Sequence, residues 1–516
     1  MRLSEPHLHK GGAPVRDLLL TGGLIVDGSG GEPWQGDVLL RAGRIASLGV
    51  TIKAPAEAEQ IDCAGKVVVP GFIDMHSHSD LHLLAGREEK LLQGVTTEVV
   101  GNCGFSVFPA GEDGQALRNF ANGILCGEGE WNWASPRAYL HAAQDERLPV
   151  CGESLAGHGS LRVAVARMAA GALTGEQLEH MRSLLDEAFS DGALGFSTGL
   201  MYAPGSEAPR EELLALCRLA ARRGKLYATH MRDYGFKLLE AIDEQIGLAE
   251  ESGCRLQISH LQAVGKPNRA LNQQALERVE AARERGIDVA FDCYPYIAGS
   301  TVMTQLLPQD TLAGGIDALL VRLADASERK AIAARALRTI ANSWDELVVS
   351  SVRSEANRAC VGRSLEAIGE ERGVEPLEAA MQLMEEERGE VHIIEFNQSE
   401  ENLRTNLAHP LCSVISDGFY VHGRPHPRLH GTFPAFLRMS LDDPSWLPLP
   451  VAIRKITAQP AERLGLVGKG LLRAGYQADV TVFAPGKIAS PASFAEPEQK
   501  PVGVCEVIRG GVRRLS

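Results

Sequence analysis

The sequence predicts an α/β fold: a (β/α)8 TIM-like barrel carrying a small discontinuous β-sandwich built from both termini. Three observations lead there. Eight short apolar strand patterns alternate with helical ones through the middle of the chain, as parallel βα units require. Metal- and proton-binding side chains stand at the carboxyl ends of most of those strands, where a parallel barrel keeps its chemistry. Strand-rich segments punctuated by glycine occupy both ends of the chain, so one β-structure closed by the two termini is expected.

Residues 1–16 read as a polar tail without the apolar core of a signal peptide. Residues 17–68 open the sandwich: Asp17 to Val26 alternates and turns at Asp27-Gly28, and two short strands flank Ala42-Gly43. The barrel is expected over 69–467. Its strands are Val67–Ile73, Thr96–Gly101, Pro149–Leu155, Ala193–Thr198, Leu226–His230, Arg255–His260, Val289–Tyr294 and Ser413–Asp417. Helical patterns such as Glu176 to Ser190 and Arg210 to Arg223 fall between them. The seventh and eighth strands lie much farther apart than a usual βα connection. Residues 297–360 therefore read as an insertion, a lid over the active face. Residues 468–516 return to the sandwich through Ala478–Phe483 and Val504–Ile508.

A chain of 516 residues exceeds one ordinary hydrophobic core. Its net charge of −14, with no offsetting basic cluster, argues against nucleic acid or another polyphosphate as partner. No apolar stretch approaches the length of a membrane span. The ten cysteines are scattered singly, without C-x-x-C pairs. That usage predicts reduced thiols and a cytoplasmic protein. A small-molecule substrate is the expected partner, and the sequence sets no oligomeric state.

The apolar run ending Asp74-Met-His76-Ser-His78 carries the first chemical signal. Residues i and i+2 of a strand point the same way, so both imidazoles aim into one space. Paired imidazoles suit a divalent metal. Cys103 sits between Asn102 and Gly104 after the second strand, His230 and His260 end the fifth and sixth, and Asp417 ends the eighth. A lone histidine is usually a hydrogen-bonded core or surface residue. Four histidines, a cysteine and an aspartate at matching strand ends are poorly explained as separate accidents. Zinc takes imidazole, thiolate and carboxylate, and a catalytic site leaves one position open.

On these residues the chain resembles the amidohydrolase superfamily, and within it the N-acyl-D-amino-acid deacylase (D-aminoacylase) group. The matching segments include Pro70–His78, Gly94–Gly104, Gly192–Gly199, Thr229–Arg232, Ile258–His260, Asp292–Tyr296, Ser399–Asn402, Ser416–Gly418 and His426–Phe433. The resemblance implies one tightly held zinc on Cys103, His230 and His260, with His76 and His78 as a weaker second site. Hydantoinase-like relatives bridge two metals with a carboxylated lysine at the end of strand four; here Leu194–Gly199 holds no lysine, so Cys103 takes that role. Glu153 is an alternative bridge, although a structural polar contact is the preferred reading. Asp417 is implied as general base and then general acid.

By the same resemblance Tyr294, Ser300 and Arg428 hold the carboxylate of the amino-acid half, a task suited to the planar guanidinium fork. One departure stands out. Two residues after the strand-six histidine the family usually has a lysine, and this chain has Gln262; Lys266 substitutes only if its loop folds back. The segment Thr301–Pro308 contains no basic residue, which favours a neutral or apolar side chain in the substrate.

Three features are read as structural. His422, His426 and His430 recur every four residues among prolines and are taken as loop residues around Arg428. Gly157-His158-Gly159 receives no role. The run Glu385–Glu387 is taken as a solvated helix face. The leading expectation is a zinc-dependent deacylase of N-acyl-D-amino acids. Alternatives are a hydrolase of peptide-like or cyclic amides and, from another class, a catalytically silent scaffold, which would have no need to keep Cys103, His230, His260 and Asp417 together.

Overall fold

A computed structural model describes residues 16–110, 114–121, 123–126, 129 and 131–516, so 1–15 of the expected tail lie outside it. Five strands open the described chain: β1 (Leu18–Ile25), β2 (Trp34–Arg41), β3 (Arg44–Gly49), β4 (Glu59–Asp62) and β5 (Val67–Pro70). Eight more follow: β6 (Phe72–Asp74), β7 (Val95–Val100), β8 (Cys151–Ser154), β9 (Ala156–Gly157), β10 (Gly195–Gly199), β11 (Leu226–His230), β12 (Arg255–Ile258) and β13 (Val289–Cys293). A long segment holds β14 (Gly299–Val302), β15 (Leu347–Ser351) and β16 (His392–Glu395) before β17 (Cys412–Val414). The chain closes with β18 (Val480–Phe483), β19 (Val504–Arg509) and β20 (Val512–Leu515).

Both ends share one eight-stranded sheet, in the order β20-β19-β18-β5-β1-β2-β3 with β4 beside β1. Leu18, Leu20, Val38 and Leu40 pack in a single core with Val480, Val482 and Ile508. Each end thus buries its apolar face against the other, which neither short set of strands does alone.

The apolar run 67–73, expected as one strand, is two. β5 pairs with β1 and β18, whereas β6 pairs with β7. The chain changes sheets at Gly71, where an added Cβ would lie 2.2 Å from Thr96 Oγ1. Only glycine allows that approach, and the expected boundary after residue 68 moves to 71.

The parallel strands form two sheets, β6-β7-β8 and β9-β10-β11-β12-β13-β17. Only Leu155 separates β8 from β9, and its N–H donates to Val100 O at 2.9 Å. At the far edges Ser77 bridges Gly418 in parallel, His78 N donates to Gly418 O at 3.0 Å and Asp417 N to His76 O at 2.9 Å. Helices cover these sheets. Gly175–Asp191 starts in a Thr174–Gln177 capping box and buries Met181, Leu185 and Phe189; Arg210–Arg223 ends at left-handed Gly224.

Between β13 and β17 the antiparallel sheet β14-β16-β15 and its helices enclose a separate core that runs from Met303 to Ile393. The expected insertion end at 360 cuts through this unit, because its central strand, β16, comes last in sequence. The run 385–387 also departs from a solvated face. Glu387 is buried and accepts from the backbone N–H groups of Arg353 and Ser354, both at 2.7 Å, and from Asn357 Nδ2 at 2.6 Å. It holds the turn after β15, a long-range contact that charge patterning does not register.

Beneath the junction of β6 and β17 lies a buried ionic tie. Lys90 Nζ donates to Asp74 Oδ2 at 2.5 Å and to Ser416 Oγ, while Ser416 N donates to Asp74 Oδ1 at 3.0 Å. Burial alone would strip the Lys90 proton, but the Asp74 and Glu98 carboxylates hold its pKa above the ordinary lysine value. Lys90→Met leaves two buried carboxylates uncompensated and is expected to cost about 3–5 kcal/mol, the scale for breaking such a pair. Denaturant unfolding with a matched Lys90→Arg control measures this; a cost under about 1 kcal/mol, the surface-pair value, would show that the tie is dispensable.

Candidate metal centre and substrate cavity

His76 and His78 leave β6 on the same side and converge on the aspartate after β17. Their Nε2 atoms lie 3.3 and 3.2 Å from Asp417 Oδ1. Cys103, just past β7, places Sγ 3.2 Å from His76 Nε2 and 3.6 Å from His260 Nε2. His230, the last residue of β11, brings Nδ1 within 3.1 Å of His260 Nε2. Of six non-glycine residues with positive φ among those described, three are here: Cys103 at 51°, His260 at 35° and Asp417 at 49°. Each such conformation costs on the order of 1 kcal/mol, and strain of this kind gathers at functional sites. Sharp turns after the strands aim these side chains inward.

The residues fit a zinc ion. Donor atoms of His76, Cys103, His260 and Asp417 all lie within 4.8 Å of one another. A tetrahedral zinc with bonds of about 2.0–2.3 Å sets its ligand atoms about 3.3–3.7 Å apart; the observed contacts of 3.3 and 3.6 Å fall in that range and the third, 3.2 Å, just below it. His78 Nδ1, His230 Nε2 and His260 Nδ1 are buried without a hydrogen-bond partner. The tightest grouping thus includes His76 and Asp417 and sets His230 and His78 beside it, whereas the sequence reading centred on Cys103, His230 and His260.

Charge is finely divided in this site. Burial works against the Asp417 carboxylate, yet Arg428, with Nη1 2.9 Å from Oδ2, and then His76 hold its pKa well below the usual range. Burial pushes His230 well below the ordinary histidine value, aided by His260, and lowers His260 to about 4. Both are therefore neutral near pH 7, the form that ligates metal. For His76 burial is outweighed by the Cys103 and Asp417 charges, which raise it.

His78, Cys103, His230, His260 and Asp417 form part of the wall of a cavity of about 710 Å³, which Tyr294, Gln262 and Arg428 also line. Tyr294 OH donates to Gln262 Oε1 at 3.0 Å, and the Arg428 guanidinium stands 4.7 Å from the Tyr294 ring centre. Ser300, on β14, accepts from Arg428 Nη2 through its carbonyl at 3.3 Å; Arg428 Nε has no partner. Lys266 does not fold back towards Gln262, since its Nζ pairs with Glu346 at 2.7 Å. Glu153 accepts from Gln144 Nε2 at 3.0 Å and lies outside the donor cluster. His158 is buried against Glu212 at 2.7 Å. His426 accepts from Arg428 N at 3.0 Å and holds Ala298 O at 2.9 Å, anchoring the arginine. His430 is not in a loop as expected: it lies in the first turn of helix Arg428–Asp442, because Pro427 stops no helix when it stands just before one.

The sequence reading left Asp292 without a role. It accepts from His260 N at 2.7 Å and Gln257 Nε2 at 2.9 Å, and its Oδ1 lies 3.5 Å from His76 Nδ1. The available signal was an aspartate near the end of an apolar strand, of the kind that orients ligating histidines.

Residues 59–514 match the amidohydrolase family. The chain is 35% identical over 497 residues to a D-aminoacylase of Alcaligenes xylosoxydans xylosoxydans, covering 96% of this chain and 93% of that one. It superposes with a TM-score of 0.82 and 31% identity on the N-acyl-D-glutamate deacylase of Bordetella bronchiseptica, solved with zinc and a phosphonate mimic of the tetrahedral intermediate, covering 97% and 96% of the two chains. A D-aminoacylase structure described as having a binuclear metal centre, with one-metal activation and second-metal attenuation, matches at TM-score 0.81 and 33% identity over 96% of each chain.

Cys103→Ala is expected to lose bound zinc and nearly all activity. Elemental analysis after dialysis should find about one tightly held zinc per wild-type chain, as a single catalytic site requires, and a small fraction of that in the variant. Full zinc retention by Cys103→Ala would remove the thiolate from the ligand set.

Proposed function

Because this chain belongs to the amidohydrolase family, we propose that it is a zinc-dependent hydrolase of linear amide bonds that releases D-amino acids from N-acyl-D-amino acids. One observation carries this reading: a donor cluster containing a thiolate residue, His76–Cys103–His260–Asp417, set beside a cavity in a chain that aligns with deacylases over nearly its whole length. The strand-four segment Gly195–Gly199 offers no lysine, which weighs against the hydantoinase type. The same reading takes the parallel strands as one closed (β/α)8 barrel, supported by the Ser77–Gly418 bridge, with 297–396 as its lid and the sheet from both termini as the β-sandwich. No helix among the described residues is long and apolar enough to cross a membrane. Among the described residues the ten cysteines form no disulfide, which supports a cytoplasmic setting.

Cys103, His230 and His260 would hold one zinc tightly, with His76 and His78 as a weaker second position, and the metal would supply Lewis acidity to polarise an amide carbonyl and acidify a water. Asp417 then takes the proton from the attacking water and returns it to the leaving nitrogen. Arg428, and then His76, hold Asp417 below the usual carboxylate range, so it stands ionised and ready to accept. Asp292 fixes His260 through its backbone N–H. Tyr294, Ser300 and Arg428 grip the substrate carboxylate, with Gln262 beside Tyr294 in place of a cation. Leu306, Leu307 and Pro308 give the side-chain region neutral, apolar walls.

Asp417→Asn should lower kcat by at least about 100-fold, the usual worth of general acid–base catalysis; near-normal kcat would assign the proton transfer elsewhere. Arg428 carries most of the charge complementarity, and Arg428→Met should cost about 2–5 kcal/mol in kcat/KM. Gln262→Lys should improve turnover of an N-acetyl-D-amino acid with a neutral side chain relative to its carboxamide. A wild-type preference for the carboxamide would replace the free-acid substrate with a peptide-like one.

A further inference from the structure

The lid sends a second polar group into the cavity that the deacylase reading does not use. β16 ends at Glu395, and strand alternation points Glu395 and Asn397 the same way. Glu395 pairs in register with Gly299 across β14. Gly299 presents no side chain there; a Cβ on it would meet Tyr294 OH at 3.1 Å and Asn397 Nδ2 at 3.5 Å. Both Glu395 and Asn397 line the cavity.

Glu395 is partly buried and receives one long hydrogen bond, 3.4 Å, from Asn397 Nδ2, and among the described residues no Lys or Arg nitrogen comes within ion-pair distance. Asn397 is 2% exposed, and among the described residues its Oδ1 has no partner. Buried acceptors in folded proteins are almost always paired, so Asn397 Oδ1, beside a carboxylate with no cation, points to a donor brought by the ligand. Burial raises Glu395 to about 7, with only the Asn397 bond opposing it; a cation would restore full ionisation. On the same wall Glu244, Asp310 and Asp417 are each paired with an arginine, whereas Glu395 has no such partner among the described residues. Met201, Leu306 and Leu307 supply apolar surface for the stem that would carry it.

We propose that Glu395 and Asn397 form a specificity site for the cationic head of a substrate side chain, making N-acyl-D-amino acids with a long apolar stem and an ammonium or guanidinium tip the preferred class. This rests on the deacylase reading above. It extends the neutral walls of the side-chain region to a charged terminus.

The test compares kcat/KM for N-acetyl-D-lysine, N-acetyl-D-arginine and the neutral N-acetyl-D-norleucine on wild type and Glu395→Gln. Each ratio is taken on one preparation, so inactive protein cancels. Wild type should favour the two cations over norleucine at least about tenfold, equivalent to about 1.4 kcal/mol. Glu395→Gln should lose most of that preference, and Asn397→Leu part of it. Turnover of norleucine without preference for the cations, or a preference that survives Glu395→Gln, overturns the specificity site and leaves the deacylase reading standing. Release of no D-amino acid from any of the three overturns both.

Discussion

The tie between β6 and β17 is the constraint on which the site depends. Asp74 is two residues before His76, and Ser416 is one before Asp417. Lys90 holds Asp74 and Ser416 together, while Asp417 N and His76 O, then His78 N and Gly418 O, continue the bonding upward. Each bond therefore fixes two side chains of the donor cluster or its border at once. Remove the tie and His76, His78 and Asp417 lose their common reference while Cys103, His230 and His260 keep theirs. A buried ion pair is a poor source of net stability, but it specifies register well, because any slip leaves a charge unpaired in a low dielectric.

Above that tie the site is built from strained turns. Cys103, His260 and Asp417 adopt left-handed backbone that L-residues avoid, and Gly101 and Gly104 bracket the cysteine with further positive φ. Cys103, His260 and Asp417 fall two or three residues past their strand ends, and there the cysteine approaches the His76 and His260 imidazoles to 3.2 and 3.6 Å. Asp292 then fixes His260 through the backbone. The aspartate that would move the proton is held acidic by Arg428, the residue proposed to meet the substrate. Substrate binding and proton transfer thus share one guanidinium.

The insertion walls one side of the cavity beside the donor cluster and packs around its own hydrophobic core. Its edge strand β14 brings Ser300 to Arg428, and its central strand β16 brings Glu395 to the same cavity. In the proposed reading, catalytic groups come from the parallel strands and selectivity from the lid, a division that would let the side-chain preference change without disturbing the donor cluster.

The sequence by itself determined the strand ends and their chemistry. H-x-H after an apolar run, a cysteine among glycines and an aspartate before glycine are local patterns, and periodicity alone places Arg210–Arg223 on its helix. What tertiary structure decided is whatever depends on partners remote in sequence. Gly71 divides one apolar run between two sheets because of Thr96 and the returning strand β18. Lys90 and Glu387 look like surface charge but are buried, since their partners lie up to 326 and 34 residues away. The lid extends past 360 because its central strand arrives last. Whether His76 or His230 stands nearer Cys103 is a matter of ångströms across the sheet, set by packing between strands, and spacing along a chain carries no such distance.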